Sequence, residues 1–135
     1  MKREIEEAKK SSPYRSLILL EGKNLIQDAL QNGFHPKSII FSRLNMLAEL
    51  SLDKTKRSDL VQIPYRNIEV WSNLKTSPGI MATFDFEEIQ QKSFEAENNL
   101  PITVILDNVR SPDNVGALVR VAAAVGCKKL ITTKV

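Results

Sequence analysis

Short apolar runs separated by helical stripes recur along the first 86 positions. Leu17-Ile18-Leu19-Leu20 is a continuous apolar run that predicts a buried strand, broken by Glu21-Gly22. Between Lys23 and Gln31, Leu25, Ile26, Ala29 and Leu30 share one helical face, and Asn32-Gly33 provides the stop. Ser38-Ile39-Ile40-Phe41 predicts a second strand. Leu44, Leu47, Ala48 and Leu50 predict a short helix, followed by a polar, basic loop from Lys54 to Ser58. Leu60-Val61-Gln62-Ile63, closed by Pro64, predicts a third strand. Ile68, Trp71 and Leu74 form the stripe of another short helix, with Trp71 a core residue. After the turn Thr76-Ser77-Pro78-Gly79, residues 80–86 alternate Ile80, Ala82, Phe84 and Phe86 against Met81, Thr83 and Asp85. That is the period of a strand.

Residues 13–86 therefore read as one small α/β domain. Residues 1–12 mix charges at helical spacing and end at Ser11-Ser12-Pro13, which predicts a short solvated helix or tail. Residues 87–100 are polar and acidic and read as a linker. Pro101 to Leu106 opens a second unit, 101–135, with an apolar run of the kind found in covered parallel strands. Ser111-Pro112 has the form of a helix cap with proline in the first turn. Val115, Leu118, Val119, Ala122 and Ala123 then fall on one stripe, Gly126 ends the helix, and Leu130 to Thr133 starts another strand. Two strands and a helix do not bury a sheet on both faces. This unit is read as incomplete.

The chain has 135 residues with 42% hydrophobic and 26% charged positions, an ordinary globular balance. A net charge of +3 is compatible with a polyanionic partner. One cysteine, Cys127, excludes an internal disulfide and points to a reducing compartment. One histidine, His35, together with that cysteine makes no zinc site. No apolar run reaches membrane-spanning length, and the charged start at Met1-Lys2-Arg3-Glu4 has no signal-peptide core.

Chemistry concentrates between Leu106 and Arg120, where a strand ends and a helix begins, the usual ligand position of α/β sheets. Arg120 stands off the apolar stripe, Gly116 lies one turn before it, and Asp113 is on the same side. Asn114 and Arg120 beside a glycine gap could hold a phosphate or a ribose. The same residues also have a plain structural reading. Asn114 could bond the helix start, Arg120 could pair with Asp113 on the surface, and Gly116 could serve close packing. No GxGxxG and no P-loop is present.

Asp107, Pro112, Asn114, Gly116, Arg120, Ala122, Ala123 and Gly126, in that order and spacing, resemble the first signature motif of the SpoU/TrmH branch of the SPOUT RNA methyltransferases. Leu19-Leu20-Glu21-Gly22 with Ile26 and Ala29-Leu30 resembles the start of that family's RNA-binding domain, and Ser77 to Ala82 resembles its end. Phe41-Ser42-Arg43-Leu44 with Glu49-Leu50 and Asp53-Lys54 resembles a mitochondrial member. Ser111 stands where the family usually has aspartate, and Val121 where it often has threonine or serine.

The resemblance implies a ribosomal-protein-like α/β RNA-binding domain followed by the first β-α-β unit of a knotted SPOUT domain, cut before the knot. It implies methyl transfer from S-adenosylmethionine to a ribose 2′-hydroxyl of structured RNA, usually rRNA or tRNA, by a homodimer. It also implies a mitochondrial or, alternatively, a cytoplasmic protein. The cofactor pocket is expected beyond Val135, and the chain alone is expected to be inactive. Arg120 would be catalytic, through electrostatic stabilisation of the developing alkoxide, and Asn114 would orient Arg120 or the ribose. Arg15, Lys23 and Lys37 are the expected RNA contacts. The competing reading is a non-catalytic RNA-binding or ribosome-assembly protein.

Overall fold

In the computed structural model, residues 1–9, 16–91 and 99–133 are described. The chain divides into two units, Met1–Lys92 and Ser93–Val135.

The first unit is built on a four-stranded mixed sheet with strand order β1-β4-β2-β3. Its elements are α1 (Lys2–Ala8), β1 (Leu17–Glu21), α2 (Lys23–Gln31), β2 (Pro36–Phe41), α3 (Leu44–Ala48), β3 (Asp59–Gln62), α4 (Tyr65–Trp71), β4 (Ile80–Asp85) and α5 (Phe86–Gln91). β4 runs antiparallel to both β1 and β2, while β2 and β3 are parallel. Successive strand residues point to opposite faces, so each strand feeds two cores. Ile39, Phe41, Ile80, Ala82 and Phe84 pack with Ile26, Met46, Leu47 and Ile89 on one face. Ile40 and Met81 pack with Ile5, Ile68 and Trp71 on the other.

Three sequence expectations change. The strand period read over residues 80–86 ends at Asp85, and Phe86 opens α5. Ile80 to Phe84 are all buried. β4 lies inside the sheet, with helices over both faces. Residues 2–8 are not a solvated helix, because Ile5 and Ala8 are buried. There the Glu4 carboxylate accepts hydrogen bonds from Ser38 Oγ at 2.6 Å and Thr83 Oγ1 at 2.9 Å, two hydroxyls without solvent exposure. Leu74 leaves the α4 stripe and is exposed. The helix stops at Ser72, whose backbone is extended. Glu21 holds it there, accepting from Ser72 Oγ at 2.6 Å and Asn73 N at 3.0 Å.

The second unit contains β5 (Leu100–Asp107), α6 (Pro112–Ala124) and β6 (Cys127–Thr133). The strands pair in parallel, with Asp107 opposite Thr133. This is a right-sized crossover for parallel strands, a single helix returning the chain to the same sheet. Of β5 only Leu106 is buried, and of α6 only Ala122. The covering expected of both β5 faces is absent among the described residues, since α6 is the one helix in this unit. Among the described residues, no helix is long and apolar enough to cross a membrane.

Candidate functional site

The candidate site lies at the carboxyl ends of β5 and β6 and the first turns of α6. Buried Leu106 anchors the end of β5. The next residue, Asp107, accepts a short hydrogen bond at Oδ1 from Thr133 Oγ1, which ties the two strand ends together. Thr133 Oγ1 also accepts from Asn108 N at 3.2 Å. Asn108 adopts φ 54°, a left-handed conformation that asparagine tolerates better than most residues. Its side chain accepts from Arg110 Nε at 3.0 Å. The loop out of β5 is thereby fixed by polar side chains.

Ser111 caps α6 as expected, its Oγ accepting from Asn114 N at 3.4 Å, with proline at the following position. Asn114 takes part in the cap through its backbone, and its side chain is left for other partners. Gly116 and Arg120 are one turn apart on the same face, and Asp113 lies on that face a turn further back. Asn114 sits roughly 120° round the helix from Arg120. The structure thus places Asn114 and Arg120 on one helix, without bringing them together on one face.

Arg120 is exposed. Among the described residues its guanidinium forms no ion pair, with Asp113 or otherwise. A Cβ built on Gly116 would meet nothing within 4 Å, so no packing in the described chain requires glycine there. A free cation beside an open glycine step can receive an anionic or hydroxyl-bearing ligand. Thr133 and Asn108 were missed in the sequence reading. Thr133 becomes a partner of Asp107 only through the parallel register, which no spacing along the chain encodes.

The expected RNA contacts separate. Lys37 is exposed on β2. Lys23 forms an ion pair with Glu49, with Nζ to Oε2 2.6 Å. Arg15 lies outside the described residues. Among the described residues, no His, Cys, Asp and Glu side chains group to hold a metal.

The human mitochondrial rRNA methyltransferase 3 is 42% identical over 131 residues, 93% of this chain and 31% of that protein. The Xenopus laevis protein of the same name is 35% identical over 96% of the chain. A Staphylococcus saprophyticus protein described as a TrmH family tRNA/rRNA methyltransferase is 30% identical over 83% of the chain. Over most of its length the chain is similar to RNA methyltransferases, one of them described as a TrmH family member. It spans about a third of the length of its mitochondrial relatives. No family model matches it.

Solved methyltransferase structures share the fold. An rRNA methyltransferase from Sinorhizobium meliloti bound to AdoMet aligns with a TM-score of 0.68 at 19% identity, over 98% of this chain and 52% of that one. The SpoU methyltransferase AviRb from Streptomyces viridochromogenes, also with AdoMet, aligns with a TM-score of 0.65 at 18% identity. It covers 97% of this chain and 51% of that one.

Proposed function

We propose that this chain belongs to the SpoU/TrmH family and supplies the RNA-binding unit and the catalytic arginine of a ribose 2′-O-methyltransferase acting on rRNA, with S-adenosylmethionine as methyl donor. The observation that carries this is the state of Arg120: exposed, unpaired among the described residues, and one turn from a glycine whose missing side chain leaves open space. A ribose 2′-hydroxyl is a weak nucleophile that must be oriented and lose its proton as it attacks. The guanidinium is too weakly acidic to shuttle a proton. Its role is to hold negative charge, either on an adjacent phosphate or on the forming alkoxide.

Asn114, off the Arg120 face, contacts the ribose rather than the guanidinium. Lys37 is the better of the described RNA-contact candidates, because Lys23 shares its charge with Glu49.

The methyl donor is supported by the AdoMet bound in two of the related structures. The described residues around α6 do not enclose a nucleoside: Leu118, Val119 and Val121 are 42%, 43% and 61% exposed. None of them is assigned to holding the cofactor. Homodimer formation and mitochondrial residence are part of the same proposal, the latter supported by the mitochondrial relatives.

The test is a chimaera in which this chain replaces the matching segment of human rRNA methyltransferase 3. Methyl transfer to mitochondrial rRNA by the chimaera, lost about a hundredfold or more on Arg120→Ala, is the expected result. Methylation that survives Arg120→Ala removes the catalytic assignment.

A further inference from the structure

A second feature lies far along the chain from the α6 site, in the first unit. His35, just before β2, and the loop leading into β3 line an open concavity of about 490 Å³. Its rim carries His35, Lys54, Lys56 and Arg57, and its apolar lining comes from Leu52 and Leu60. Leu60 is half exposed because β3 is the edge strand of the sheet.

The loop is held in shape by its own bonds. Asp53 Oδ1 accepts from Thr55 N at 2.9 Å and from Thr55 Oγ1 at 2.6 Å. Lys56 N donates to the Asp53 carbonyl at 3.2 Å. Ser58 Oγ donates to the Pro36 carbonyl at 2.6 Å. His35 Nε2 lies 3.1 Å from the Arg57 carbonyl and 2.9 Å from Ser58 Oγ. A carbonyl only accepts and the Ser58 proton is already used, so Nε2 carries a hydrogen and donates. The ring is thereby oriented by the loop.

Charge and surface chemistry say what fits. Three cations fall within four positions, and none forms an ion pair among the described residues. Asp53, the one carboxylate among the described rim residues, is engaged with Thr55. Cations above an apolar lining suit a ligand that is anionic at one end and flat and apolar at the other. A phosphodiester with its base meets both demands, whereas an acidic peptide leaves the leucines uncovered. Duplex RNA hides its bases, while a single strand can turn one outward.

We propose that this concavity binds an unpaired nucleotide of a single-stranded RNA segment, with its phosphates on Lys54, Lys56 and Arg57 and its base against Leu52 and Leu60. This rests on the reading that the first unit binds RNA, and it names where.

The test uses the full chain and a fluorescein-labelled decauridylate, with anisotropy followed between 50 and 200 mM salt. Three variants are compared after their folding is checked by circular dichroism: Lys54→Gln/Lys56→Gln/Arg57→Gln, the charge-matched control Arg3→Gln/Arg66→Gln/Lys75→Gln, and Leu60→Ser. The loop variant is expected to bind about tenfold or more weakly and to lower the salt slope by about 2, at roughly 0.7 per phosphate contact on a single strand. The control is expected to change both far less. Leu60→Ser is expected to weaken binding several-fold with the slope unchanged.

Equal effects from the two triple variants would overturn the proposal and leave general RNA binding standing. Displacement of the RNA by hexaglutamate as readily as by unlabelled decauridylate would show an anion site without nucleotide recognition, and would also overturn it. Absence of saturable binding by the parent chain would overturn the RNA-binding reading itself, together with this site.

Discussion

Thr83 Oγ1 donates to Glu4 Oε1 at 2.9 Å across 79 positions of chain, and Ser38 Oγ donates to the same oxygen at 2.6 Å. One carboxylate of the first helix therefore satisfies two hydroxyls that have no access to water. Removing the acceptor strands both donors, and a stranded buried polar group costs about 1–3 kcal/mol. Glu4→Ala is expected to lower the unfolding free energy by at least the cost of one such group in urea titrations. Glu4→Gln, which keeps an acceptor oxygen, is expected to lose less. Equal stability of Glu4→Ala and the parent would mean that the helix is not docked through this contact.

Glu21 belongs to the stretch that resembles the start of the family's RNA-binding domain, yet its carboxylate is occupied within the fold. It receives Ser72 Oγ and Asn73 N and ends α4. Glu21→Ala is expected to cost about 1–2 kcal/mol and to leave decauridylate affinity within about twofold once folding is matched. A large loss of RNA affinity at full stability would give Glu21 a binding role instead.

Gly79 and Gly116 should respond oppositely to alanine. Gly79 has φ 77°, and an added Cβ would lie 3.0 Å from Ser42 Oγ and 3.2 Å from Met46 Cε. Gly79→Ala is expected to destabilise by more than about 1 kcal/mol. Gly116 is helical with open space around it, so Gly116→Ala should stabilise α6 by about 0.5–1 kcal/mol. In the chimaera the same change is expected to reduce methyl transfer, because the new methyl group occupies the approach to Arg120. A Gly116→Ala chimaera that is both more stable and fully active would remove the glycine from the site.

Asp53 titrates below the ordinary carboxylate value, chiefly because the Thr55 hydroxyl bonds its charged form, with the Thr55 amide next. A depressed folded value means that this loop contact contributes above the unfolded value and is lost as pH falls through the folded one. Thr55→Val removes the hydroxyl and keeps the amide. It should move the Asp53 midpoint upward without fully restoring it, as read from carboxyl carbon shifts. An unmoved midpoint would show that the hydroxyl is not the main cause.

Much of the architecture was legible because it rests on local signals. The apolar runs at 17–20 and 101–106, the glycine stops at Gly33 and Gly126, and the Ser111-Pro112 cap all act within a few residues of themselves. What the sequence hid depends on partners brought from a distance. Ile5 and Ala8 look too sparse for a packed helix until Ser38 and Thr83 supply polar partners for Glu4. Leu74 continues the α4 period, but Glu21 captures the chain at Ser72 first. In the candidate site, Arg120 and Gly116 were legible from helical spacing and motif order. Thr133 was not, because only strand register makes it a neighbour of Asp107, and Asn108 finds its backbone partner only through Thr133.

The bond between Asp107 and Thr133 also makes the loop before α6 a gauge of how β5 and β6 are aligned. A slip of one residue would carry the threonine about 3.3 Å along the strand and present the opposite face. Asp107 and the Asn108 amide would both lose their partner, and Arg110 would lose its oriented acceptor. A misaligned strand pair would therefore arrive with its loop unlatched, and the α6 end would be aimed correctly only in the native register.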